Sequence, residues 1–142
     1  MKTFRLKKED INRKWYLIDA KDQIVGRLAG QIAKILCGKN KTEYSHDVDS
    51  GDYVVVTNCE KVKISGKKAM VKEYHTHSFY IGGLKTVTYE HMLEKHPERI
   101  LEIAVKGMLP KNKLQAKAMA RLRVYSGEEH PHTAQKFEKL TA

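Results

Sequence analysis

Two pairs of histidines, His75 with His77 and His130 with His132 around Pro131, are the first side chains in this sequence that invite a chemical reading. Imidazoles two residues apart on an extended segment share a face, and two of them could begin a zinc site. A catalytic zinc takes three protein ligands and a shell of carboxylates that orients them. Here the nearby acids are Glu73 for the first pair and Glu128 and Glu129 for the second, and no metal-site pattern links them. The histidines are therefore read as contacts to phosphates or bases, or as structural residues, with no metal. "SHDVDSGD" sets Asp47, Asp49 and Asp52 close together, but a calcium loop counted from Asp47 needs a further ligand and a Glu where Gly51 and Asn58 stand. That segment is read as a turn before a strand. "GRLAG" and "GKNKT" lack the spacing of a phosphate loop, and there is no G-x-S-x-G nucleophile elbow. Nothing signals catalysis, and no cofactor is implied.

What remains is charge. Lys and Arg number 27 against 17 Asp and Glu, a net +10, which favours a polyanionic partner. The surplus is concentrated. Residues 61 to 72 hold Lys61, Lys63, Lys67, Lys68 and Lys72 and no acid; residues 103 to 127 hold Lys106, Lys111, Lys113, Lys117, Arg121 and Arg123 and no acid. The rest of the chain is close to neutral. Cations gathered this way can neutralise a row of phosphates, and with His75, His77, Asn112, His130 and His132 they define candidate RNA-binding surfaces at about 61–77 and 103–132. On a helical projection of 111–124, Lys113, Lys117 and Arg121 form a stripe beside Leu114, Ala118 and Leu122. Like charges at that spacing cost a few tenths of a kcal/mol per pair, so a solvated helix face would normally intersperse them with Glu. Arg123 and Tyr125 add a guanidinium and a ring able to stack on unpaired bases.

The elements that must hold these residues follow from hydrophobic patterning. The 142 residues form one domain, 1–142, large enough to fold without disulfide or metal. Cys37 and Cys59 belong to no C-x-x-C pair and are read as buried thiols in a reducing compartment. With neither an apolar leader nor an eighteen-residue apolar span, the protein is expected in the cytoplasm. "WYLIDA" and "DYVVVTN" read as covered strands, and Val25 to Leu36 recur at helical spacing between them with Gly38 as a left-handed cap. Strand, helix, strand implies parallel pairing. "KVKIS" alternates like a strand, and "MVKEYHTHSFYIGGLK" reads as extended into a Gly82-Gly83 loop. Thr88 can cap a short helix, Pro97 opens another that ends at Gly107, and Pro110 allows a third start.

Taken in order, "WYLIDAKDQIVGRLAGQIAKIL", "GDYVVVTN", "KISGKK", "YHTHSFYIGG", "VKGMLPKN" and "RLRVYSGEEHPH" closely resemble the bacterial large-subunit ribosomal protein L-thirteen family, from about Trp15 to His132. The resemblance implies an α/β fold: a single compact domain whose four-stranded, largely parallel sheet lies between helices in a three-layer α/β/α arrangement. It implies binding to 23S ribosomal RNA beside neighbouring large-subunit ribosomal proteins, a part early in large-subunit assembly, and no catalysis. The family's basic turn falls on Gly66, Lys67 and Lys68, its histidine segment on Tyr74 to His77, and its MLP-K-N element on Met108 to Asn112. Two rivals of other classes fare worse. A small α/β enzyme acting on a nucleotide or phosphorylated substrate would need the missing phosphate loop or acid/base pair. A DNA reader using the Lys113 helix would want Asn or Gln at the centre of its charged stripe.

Overall fold

In the computed structural model, which describes residues 5–139, the apolar runs Trp15–Asp19 and Tyr53–Thr57 form strands β1 and β2. Helix α1, Val25–Cys37, connects them, and Val25, Leu28, Ala29, Ile32, Ile35 and Leu36 are all buried. Gly38 ends the helix at φ 79, where its N–H bonds the Ile35 carbonyl; a side chain in that left-handed conformation would be strained. β1 and β2 pair in parallel, with Trp15 opposite Tyr53 and Asp19 opposite Thr57, as the crossover demands.

Two short strands complete the sheet. β5, Leu122–Val124, runs beside β2, and β6, Phe137–Lys139, runs beside β1, giving the order β5-β2-β1-β6 with every pairing parallel. The expected α/β class, a single domain with a four-stranded parallel sheet flanked by helices, is what forms. Tyr16, Ile18, Val54, Val56 and Leu122 share one face and pack on α1, on α4 (Pro97–Met108) and on Ala118 of α5 (Leu114–Ala120). Alternation sends Trp15, Tyr53 and Phe137 to the other face. There the Trp15 and Tyr53 rings stack at 4.3 Å and Phe137 meets Trp15 edge-on. Pro97 stands in the first turn of α4, and its expected apolar stripe is fully buried at Ile100, Leu101 and Val105. No helix among the described residues is long and apolar enough to cross a membrane.

Four expectations are corrected. "KVKIS" is not a strand: Lys61 closes a short 3-10 turn, and Lys63 makes a single parallel bridge to Ile24. Its would-be partner enters α1 at Val25, so the ladder stops after one rung, although Val62 is buried and the lysines are exposed as the alternation requires. The segment after Gly66 is not extended throughout. It makes one helical turn, α2 (Lys68–Val71), and then an antiparallel hairpin of β3 (Glu73–His77) and β4 (Leu84–Thr88), a sheet separate from the main one. Thr88 does precede helix α3 (Tyr89–Lys95), but its side chain makes no capping hydrogen bond. Finally, the helix expected over 111–124 stops at Ala120, and Leu122 reaches the core from a strand.

Both cysteines are free thiols; Cys59 is buried as expected, whereas Cys37, the last residue of α1, is only half-buried. Burial, the dominant cause, pushes the Cys59 thiol up to about 12 and raises that of Cys37 by less, with Lys39 and Arg121 pulling it back. Thiolate is the reactive form, so titration of the native protein with a disulfide reagent at pH 8 should show no fast-reacting thiol, and both should react on unfolding. A rapid burst from the native state would contradict the burial.

Candidate nucleic-acid interface

Helix α5 starts because Asn112 caps it: its side-chain oxygen accepts the N–H groups of Leu114 and Gln115 at 3.0 and 3.2 Å, relieving two donors that a helix start leaves open. The Gln115 amide in turn donates to the Lys106 carbonyl at 2.8 Å, tying α5 to the end of α4. Lys113 and Lys117 are exposed as expected, about 6 Å apart along the axis by helical rise.

Arg121 departs from the expected stripe. It is 4% exposed, and its Nη1 and Nη2 donate to the two carboxylate oxygens of Asp49 at 2.5 and 2.6 Å. Nη2 also donates to the Leu36 carbonyl in the last turn of α1, at 3.1 Å. The helix ends one residue too early to carry Arg121 outward, and the chain turns into β5 instead. Arg121 is thereby removed from the exposed cations. The same contact explains the acidic loop: Asp49 also meets Arg13 at 3.5 Å, and the fully buried Asp52 accepts the Lys14 N–H at 3.0 Å and Lys41 Nζ at 2.6 Å.

The two basic runs, distant in sequence, meet across α4. One groove joins Lys68, Lys72 and Tyr74 to Ile103, Ala104 and Met108. A second, on the other side of Ile103, joins Lys106 and Gly107 to Lys111, Asn112 and Gln115. Beyond α5 a third groove, of about 560 Å³, brings Lys117 and Arg123 together with Arg13 and Tyr53. Lys67, Lys68, Lys72, Lys106, Lys111, Lys113, Lys117 and Arg123 are all exposed, and none has an acidic partner within 4.0 Å among the described residues. Lys61 and Lys63 are exposed but paired, with Glu60 at 3.6 Å and Asp22 at 2.6 Å. Surface pairs of this kind are worth at most about 1 kcal/mol, weak enough to exchange for a phosphate. Arg13, exposed beside Asp49, was not legible as a groove residue because it lies outside both acid-free runs.

The histidines separate. His75 and His77 are exposed on β3; His75 Nδ1 lies 3.0 Å from the Thr86 hydroxyl, and His77 Nδ1 accepts the Phe79 N–H at 2.9 Å. His130 and His132 do not project with the lysines. They are half-buried among Trp15, Tyr125 and Phe137, with His132 Nε2 2.9 Å from the Tyr125 hydroxyl and the His130 ring 5.2 Å from that of Phe137. Their aromatic surroundings make them cover for the outer face of the sheet, the structural role that the sequence reading held open beside RNA contact. Tyr125 is likewise half-buried, its hydroxyl beside His132.

Comparison with known proteins bears on what this surface serves. The family model for ribosomal protein L13 matches residues 13–131. Among similar curated proteins is the large ribosomal subunit protein uL13 of Thermotoga petrophila, 54% identical over 139 residues, which are 98% of this chain and 93% of that one. The protein of the same name from Francisella philomiragia is 54% identical over 135 residues, 95% of each chain. That of Aquifex aeolicus is 52% identical over 140 residues, 99% of this chain and 97% of its own. The matches span both basic runs and the sheet that supports them, and they show that this chain belongs to the ribosomal protein L13 family.

Proposed function

We propose that this protein is a structural constituent of the large ribosomal subunit that binds 23S ribosomal RNA through the face running from α2 across α4 to α5, joins early in assembly, and works in the cytoplasm as part of the ribosome. One observation carries the RNA contact: of eight exposed cations without acidic partners among the described residues, six line grooves on either side of Ile103 and beyond α5, with Lys67 and Lys113 exposed beside them, a layout suited to a folded phosphate backbone. The sides of this face not taken by RNA are available to neighbouring large-subunit proteins. Sedimentation of a lysate tests the reading. The protein should travel with large-subunit particles at low salt and already be present in the lighter precursors. Absence from large-subunit particles would reject the function, and absence from precursors alone would reject the early step.

Lys117 separates contact from packing. It is exposed on α5 one turn from Lys113, so Lys117→Ala should leave folding stability within about 0.5 kcal/mol of the parent. The same change should weaken binding to 23S ribosomal RNA. Lys117→Glu should keep the circular dichroism spectrum and bind more weakly than the alanine variant, because the carboxylate repels phosphate and competes for Lys113. A Glu variant that folds and binds like the parent would return this helix to a solvated face.

A further inference from the structure

The tip of the β3-β4 hairpin presents its largest apolar side chains to solvent. Phe79 is 95% exposed, Tyr80 79%, Ile81 fully so, and Leu84 at the first position of β4 61%. Apolar groups clustered this way at one exposed tip mark a place of contact. They are not on a loose loop. Five residue pairs zip the hairpin from Glu73 opposite Thr88 to His77 opposite Leu84. Beyond the last pair, the Ser78 N–H bonds the Gly83 carbonyl at 3.1 Å and the Gly83 N–H bonds the Tyr80 carbonyl at 2.9 Å. His77 acts on the tip directly: its Nδ1 accepts the Phe79 N–H, and its ring lies edge-on to the Phe79 ring at 6.0 Å. Phe79 is held at φ 66, in the left-handed region that a bulky side chain rarely adopts. A strained backbone that displays an exposed ring is a feature the fold alone does not require.

The charge around the tip decides what it fits. Residues 74 to 89 contain Lys85, His75 and His77 and no Asp or Glu, a third acid-free stretch beyond the two that define the basic face. Flat rings in a stretch that carries Lys85 and no carboxylate are suited to unpaired bases, whose faces stack on aromatic side chains while a cation meets the phosphates. A protein partner would gain nothing specific from that absence of acids. We propose that the hairpin tip is a base-stacking element: Phe79 and Tyr80 stack on unpaired nucleotides of ribosomal RNA, with His77 as the residue that positions Phe79. This rests on the RNA-binding function proposed above and adds to it a site whose contribution is not electrostatic.

The test uses the full chain and 23S ribosomal RNA transcribed in vitro and refolded with magnesium. A Phe79→Gly, Tyr80→Ala double variant removes both rings, and the glycine relieves the φ at 79, so its stability to urea should match or exceed that of the parent. Its affinity should fall about 5-fold or more per ring, with the slope of affinity against salt unchanged, since no phosphate contact is lost. A Phe79→Trp, Tyr80→Trp variant should keep most of the affinity. Parent protein that binds the RNA while the Gly/Ala variant binds equally well overturns the stacking element alone. The same holds if that variant binds the RNA normally but fails to enter large-subunit particles, which would assign the tip to a protein neighbour. Parent protein that does not bind the RNA overturns the proposed function and the stacking element together.

Discussion

Arg121→Ala should lower folding stability by about 3 kcal/mol, the low end of the range for removing one partner of a buried ion pair. That is a large share of the 5 to 15 kcal/mol typical of a domain. The cost has three sources on the structure. Asp49 loses both of its close guanidinium contacts and keeps only Arg13 at 3.5 Å; that remaining cation is why the low end applies. The Leu36 carbonyl loses its 3.1 Å donor at the C-terminal end of α1, where a helix leaves its last carbonyls open and favours a cation. The loop opposite cannot move in to compensate, because a Cβ on Gly51 would already stand 1.8 Å from the Leu36 oxygen and 2.8 Å from Arg121 Nη2. Arg121→Lys should recover only part of the loss, since an ammonium cannot span both Asp49 oxygens in a fixed fork. Pairing Arg121→Met with Asp49→Leu should cost less than Arg121→Ala alone, as no unpaired charge remains buried. Urea unfolding at pH 7 measures all three. Should Arg121→Ala fold within 0.5 kcal/mol of the parent (about the size of an ordinary surface change) and lose RNA affinity as Lys113→Ala does, the arginine belongs to the interface after all.

Arg121 also shows where sequence reasoning succeeds and where it stops. β1, β2 and α1 were legible because burial writes itself into spacing: three consecutive valines for a covered strand, and apolar residues from Val25 to Leu36 at helical intervals closed by Gly38. Pro97 announced α4 for the same local reason. β5 was hidden because "LRV" is only three residues long and follows a helix whose four-residue spacing happens to continue through Arg121. β6 is equally short and pairs with a strand more than a hundred residues earlier, a contact that no local pattern encodes. The basic face was legible as a composition, two runs without acids, but its continuity across Ile103 of α4 is a property of the fold. The packing of His130 and His132 was not legible because polar aromatic residues beside Pro131 look solvent-facing, whereas Trp15, Tyr53 and Phe137 on the outer side of the sheet supply an aromatic surface for them to cover. At the hairpin tip the extended reading said nothing of exposure, and the side chains of Phe79, Tyr80 and Ile81 stand in solvent because no other element of the fold reaches them.

Raising monovalent salt from 50 to 200 mM should weaken binding to 23S ribosomal RNA about 10³-fold, the loss expected when about six phosphates are neutralised. The eight cations of the α2, α4 and α5 face without acidic partners among the described residues can meet that number without recruiting Arg121 or any residue already held in an ion pair. Each neutralised phosphate releases counterion, so the slope of log affinity against log salt counts the contacts. Lys67→Ala or Lys113→Ala should each flatten it by about one. Lys63→Ala should flatten it less, because Lys63 must first give up Asp22 at 2.6 Å, a partner whose carboxyl is held below its usual range by that same contact. Arg121→Lys should leave the slope unchanged, since its charge is buried against Asp49. These variants form a single experiment in which position in the fold, and not charge alone, sets the response. A slope near zero for the parent would mean that the cations are merely solvated. Equal flattening by Lys67, Lys63 and Arg121 replacements would mean that RNA responds to net charge and not to this surface.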